Sequence, residues 1–195
     1  MSDIALARRL EYLTLGWNLA EAVASIVVGA MAGSIALVGF GADSLIESAS
    51  GGVLLWRLQG GDVGEKREQL ALRLVGVSFL VLAFYISLTA AKALVLHDQP
   101  EPSTIGIIIA ILSLIVMPLL ARAKRKTGGR IGSKALVADS KQTEICAYLS
   151  AILLVGLILN RLFGWWWSDP VAALLMLPII CREGIRAIEG KTCCD

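Results

Sequence analysis

Asp43 and Glu47, together with Gln142 and Cys146, are the residues of this chain whose types and spacing could hold a cation. Each pair is four positions apart, which puts both side chains on one face of a helix. Carboxylates and an amide oxygen are hard donors and a thiolate is a soft one, so four of them converging would suit a divalent cation of zinc-like character. The pairs are related, because Gly33-Ser-Ile-Ala-Leu-Val precedes the first and Gly132-Ser-Lys-Ala-Leu-Val the second at a constant offset of 99 residues. Taken alone, each of the four also reads as a polar lock between helices, and Cys146 as a small core residue. The repeat favours a shared site, since two copies of one helix bring their pairs to the same register.

The elements that must position these residues are apolar. Of the 195 residues 56% are hydrophobic, and mean hydropathy is +0.73. They fall in runs of roughly 20, the length of a helix that crosses the hydrocarbon core of a bilayer. An all-α integral membrane protein with six transmembrane helices is expected, with spans near residues 12–31, 34–58, 70–96, 104–120, 135–159 and 169–188. Residues 1–190 form the six-span domain, and 191–195 a short cysteine-containing tail. Pro118 is expected to kink or end the fourth span, and Asp169-Pro170 to open the sixth as its N-cap and first turn. Residues 1–10 lack the architecture of a cleavable signal.

The net charge of +2 says little as a total; its distribution says more. Arg122, Lys124, Arg125, Lys126, Arg130 and Lys134 form a basic run, and with six spans Arg8, Arg9, Lys66, Arg67, Arg182, Arg186 and Lys191 fall on the same side. By the positive-inside rule both termini are cytoplasmic. The run suits topology and anionic lipid, not nucleic acid. Trp165-Trp166-Trp167 is the aromatic anchor expected at the opposite interface.

Further polar residues lie within the spans, where each costs free energy unless partnered. Asn18 and Glu21 share a face of the first span, and Glu21 suits either a proton relay or an interhelical hydrogen bond. Asp139, one turn before Gln142, is an alternative ligand or a structural or relay carboxylate. Lys141 and Glu144 lie on other faces, free to pair with neighbours. His97, the single histidine, belongs to an outer loop between breakers. Adjacent Cys193 and Cys194 are poorly placed to bond each other; they suit either a metal-loading point or a tail without function.

Ser34-x-Ala-Leu with a ligand pair nine and thirteen residues on, the same arrangement from Ser133, Asn18 in the first span and Asp169-Pro170 opening the sixth together resemble the transmembrane domain of the cation diffusion facilitator family. The resemblance covers residues 13–189. It implies a bundle of that family's type, no enzymatic activity and no prosthetic group. It also implies a homodimer that exports a divalent cation such as zinc in exchange for protons, by alternating access. The family's four transport ligands, usually Asp or His, fall on Asp43, Glu47, Gln142 and Cys146. Gln142 and Cys146 replace the usual His and Asp, and the cytoplasmic metal-binding domain that commonly follows the sixth span has no counterpart in these residues. The expected location is a prokaryotic plasma membrane, and metal resistance the expected role. Two rivals stand beside this expectation. One is a proton-coupled exporter of organic cations built on Glu47, although spans two and five offer it only Phe40 and Tyr148 as aromatic lining. The other is a membrane protein that binds metal without moving it.

Overall fold

The computed structural model describes residues 3–58 and 65–189, apart from the side chains of residues 54, 56–58, 65–69, 71, 72, 134 and 135. Six helices make up the described residues: α1 (Asp3–Ala32), α2 (Ile35–Leu58), α3 (Glu65–Leu96), α4 (Thr104–Ile131), α5 (Lys134–Phe163) and α6 (Ser168–Ile188). At 1.5 Å per residue, even the 21 residues of α6 reach about 30 Å. Helices α1, α3, α4 and α5 are long and apolar enough to cross a membrane. The two that fall short carry more polar residues: Asp43, Glu47 and a Ser/Gly run in α2, and Asp169, Arg182 and Glu183 in α6. Exposed large hydrophobic side chains such as Met31, Val81, Phe84 and Leu162 follow from the same setting, because lipid and not water surrounds them.

The repeated motif forms the same turn twice. Gly33 and Gly132 both adopt φ 67°, the left-handed conformation that glycine reaches without strain and that ends a helix. The next residue in each copy sends its N–H back to the helix just ended, Ser34 to Gly29 O and Ser133 to Gly128 O, both at 2.9 Å. Each serine then caps the following helix, its hydroxyl accepting from Leu37 N at 3.1 Å or Leu136 N at 3.3 Å. The paired helices touch at matching glycines. A Cβ on Gly29 would lie 2.8 Å from Val38 N, and one on Gly128 would lie 3.1 Å from Val137 N. The 99-residue offset is therefore an offset between two helical hairpins, α1–α2 and α4–α5.

The hairpins point in opposite directions. The α1–α2 turn lies at the end of the bundle where Glu101 N bonds Ala32 O, Asn160 Nδ2 bonds Pro100 O, and His97 rests against Trp166 with ring centroids 5.0 Å apart. The α4–α5 turn lies at the other end, where Arg130 pairs with Asp3. The two ends are referred to below as the tryptophan end and the basic end. Helix α1 packs on α4 and α2 on α5, making a four-helix body. Helices α3 and α6 pair with each other and lie against α2 and α5. The pairing is close because it crosses at Gly76 and Gly184: a Cβ on Gly76 would lie 2.6 Å from Gly184 O. Phe40, Leu37, Ile86, Leu153, Leu157 and Met176 fill the core between these layers.

Two local expectations need correction. Helix α4 does not end at Pro118 but runs on to Ile131, and Arg122, Lys124, Arg125, Lys126 and Arg130 lie on it. Asp169 sits inside the first turn of α6, and Trp167 occupies the capping position.

Candidate metal site

Opposed hairpins bring the two ligand pairs to one depth. Asp43 and Glu47 follow the start of α2 by eight and twelve residues, and Gln142 and Cys146 follow the start of α5 by the same intervals. At 1.5 Å per residue these are about 12 and 18 Å in from opposite ends of the bundle. Helices α2 and α5 pack against each other, and Asp43, Glu47 and Cys146 meet there. One carboxylate oxygen from each acid and the Cys146 sulfur all lie within 4.8 Å of one another. The three residues are buried, with exposures of 7%, 4% and 1%. Modest side-chain shifts would close such donors onto one ion at the ~2.0–2.3 Å of zinc-like coordination.

Two features make this a poor place for polar groups to be left alone. The Cys146 sulfur lies within 4.8 Å of a Glu47 carboxylate oxygen, yet Glu47 Oε1 is buried without a hydrogen-bond partner. A buried acceptor with nothing to accept from is costly, and a second carboxylate beside it adds repulsion. A cation removes both penalties. Gln142 lies one turn before Cys146 on α5 and is half-buried.

Among the described residues, the other acidic and histidine candidates are not members of this cluster. Glu21 on α1 accepts from Ser44 Oγ on α2 at 2.8 Å and from Trp17 Nε1 at 3.2 Å. It thus ties α1 to α2 and stands outside the three-donor cluster. Asn18, one turn away, is buried with Oδ1 unpartnered. Asp139 is also outside the cluster, ion-paired to Lys124. Glu144 pairs with Arg125 at the surface. His97 is exposed in its loop, far along the chain from the ligand helices. Cys193 and Cys194 lie outside the described residues, as do Lys191 and the side chains of Lys66, Arg67 and Lys134.

Sequence reasoning missed two polar arrangements. Asp169 accepts from Ser34 Oγ at 2.5 Å and from Ile35 N at 2.8 Å, so it caps α2 from α6. Lys124, read as part of a topological signal, is buried between Glu11 and Asp139. A lysine amid charged neighbours on a helix that outlasts its apolar stretch looks solvated; only the packing of α1 on α4 shows otherwise.

Fold and site together define a membrane-embedded helical bundle in which two buried carboxylates and a thiol, groups that could hold a metal ion, come together between α2 and α5. The family model described as the cation efflux transmembrane domain matches residues 12–189, and the chain belongs to that family. Transmembrane protein 163 of Xenopus laevis is 27% identical over 182 residues, 92% of this chain and 65% of the relative. An uncharacterized transporter of Methanocaldococcus jannaschii is 25% identical over 87% of this chain and 63% of its own length. A cadmium, cobalt and zinc/H(+)-K(+) antiporter of Bacillus velezensis is 29% identical over 66% of this chain and 41% of its own length. The chain thus spans less than two thirds of the length of each of these relatives.

Proposed function

We propose that this chain exports a divalent transition or heavy metal cation, zinc or a more thiophilic ion, by alternating access and in exchange for protons. The observation that carries it is the convergence of Asp43, Glu47 and Cys146 from two oppositely directed hairpins. Gln142 serves as the fourth donor. Family membership and the likeness to a cadmium, cobalt and zinc antiporter support metal as the cargo. Proton exchange follows from the donors, because a thiol and two carboxyls bind metal only after losing protons and can take them up again once the metal leaves. The protein is no enzyme on this reading, carries no prosthetic group and acts as a homodimer. The basic end, with Arg8, Arg9, Arg122, Lys126 and Arg130, faces the cytoplasm of a prokaryotic cell, and both termini lie there. Residues 1–190 are the transport domain and 191–195 its tail.

Metal flux into proteoliposomes, measured across zinc, cadmium, cobalt and manganese with and without an imposed pH gradient, tests the proposal. Flux of zinc or cadmium that scales with the gradient and vanishes in Asp43→Asn is expected. Binding without flux would make the chain a metal-binding membrane protein, and flux indifferent to the gradient would make it a uniporter.

A further inference from the structure

We infer that Glu11, Lys124 and Asp139 form an ionic gate between the metal site and the basic end, and that the corresponding gate toward the tryptophan end is apolar and built around Phe40. Lys124 Nζ on α4 lies 3.2 Å from Glu11 Oε2 on α1, pairs with Asp139 on α5, and reaches Thr143 Oγ1 at 3.5 Å. The cluster lies one turn from the site: Gly51, one turn beyond Glu47 on α2, faces Glu11 Oε2, and Asp139 lies one turn before Gln142 on α5. Lys124 is 1% exposed and Glu11 0%. Such a network is weak ground for stability, because desolvating three charges offsets most of their attraction. This one is also incomplete, since Glu11 Oε1 is buried without a partner. Its contribution lies in where it closes: it joins α1 of one hairpin to α4 and α5 of the other, across the route from the basic end to the site.

The inverted repeat supplies the comparison. Shifted by 99 residues, Glu11 corresponds to Ala110, Lys124 to Ser25 and Asp139 to Phe40. All three counterparts are fully buried on the tryptophan side of the site, where Phe40 lies one turn before Asp43. Phe40 and Ala110 belong to the apolar core, and Ser25 Oγ makes no hydrogen bond. Equivalent positions in the two hairpins are therefore closed by ion pairs at one end and by an aromatic ring at the other. When the ionic gate parts, it exposes two carboxylates to an entering cation; the apolar gate offers a departing cation no ligand to return to.

This inference rests on the proposed transport site and is tested by access to Cys146 instead of by transport. In a Cys181→Ser/Cys193→Ser/Cys194→Ser background, Cys146 is the only thiol of the four cysteines left. A charged, membrane-impermeant methanethiosulfonate is applied to vesicles of either orientation. Lys124→Met should raise the labelling rate from the basic end about tenfold and leave the rate from the tryptophan end unchanged, the response of a two-state gate losing its lock. Phe40→Ala should do the reverse. If Lys124→Met fails to fold, the Glu11→Gln/Lys124→Met/Asp139→Asn variant leaves no uncompensated buried charge and is read by the same criterion. Labelling at the parental rate from the basic end, or a rise from both ends alike, would overturn the gate. Zinc protection of Cys146 in the background protein reports on the metal site separately, so lost protection there counts against the site and not the gate.

Discussion

Asp169, in the first turn of α6, accepts a 2.5 Å hydrogen bond from the hydroxyl of Ser34, 135 positions earlier in the chain. The same carboxylate takes the amides of Ile35 at 2.8 Å and Ala36 at 3.4 Å, so one side chain covers the positive end of a second helix as well as its own. Helix α2 carries Asp43 and Glu47, and its depth in the bundle is fixed at this point. Asp169→Ala should lower stability by about 2–4 kcal/mol, combining lost charge-assisted hydrogen bonds with amides left unsatisfied. Asp169→Asn keeps one acceptor oxygen and should lose roughly half of that. Thermal unfolding in detergent reads the difference; two variants equal to the parent would show that α2 is held by packing alone.

On the proposed site, metal selectivity should follow the mixture of donors. Cys146 is the soft one, so Cys146→Asp should cut affinity for cadmium by about tenfold or more while changing affinity for manganese little. Glu47→Gln removes charge without altering softness, and all divalent ions should weaken together. A binding titration of both variants across the metal panel makes the comparison. An unchanged order of preference in Cys146→Asp would assign Cys146 to core packing.

Metal binding should release protons, because the donors coordinate in their deprotonated forms. Apparent affinity for zinc therefore rises with pH and falls as acid returns protons to the three donors. Calorimetry of zinc binding in buffers of different ionisation heat measures the count. A binding heat identical in every buffer would remove the basis for exchange.

Glycine substitutions should sort by what a methyl group meets. Gly76→Ala places a Cβ 2.6 Å from Gly184 O and Gly29→Ala places one 2.8 Å from Val38 N, and both meet backbone that cannot yield cheaply. Each should cost about 1–3 kcal/mol. Gly16 and Gly52 face open space, and alanine there should be neutral or slightly stabilising on helix propensity. Equal unfolding temperatures across the four variants would contradict the close crossings of α1 with α2 and of α3 with α6.

The sequence by itself determined that helices of membrane length must form, because apolar runs of that length have no other way to satisfy their backbone in lipid. It also determined the paired turns, since Gly-Ser-x-Ala-Leu-Val encodes a local stop and serine cap in both copies, to which α6 adds Asp169 in the first copy only. Distances across helices were beyond it. Whether Asp139 joins Glu47 or Lys124 depends on the packing of α1 against α4 and of α4 against α5, and periodicity along one helix carries no information about its neighbour. Pro118 looked like a kink or an end because a local rule forbids its hydrogen bond, and of the two the end is excluded, since the bundle carries α4 through it for thirteen more residues. Lys124 looked solvated because lysine almost always is; tertiary structure alone sets two buried carboxylates around it, and an ammonium stays in such a place only when its charge is matched there.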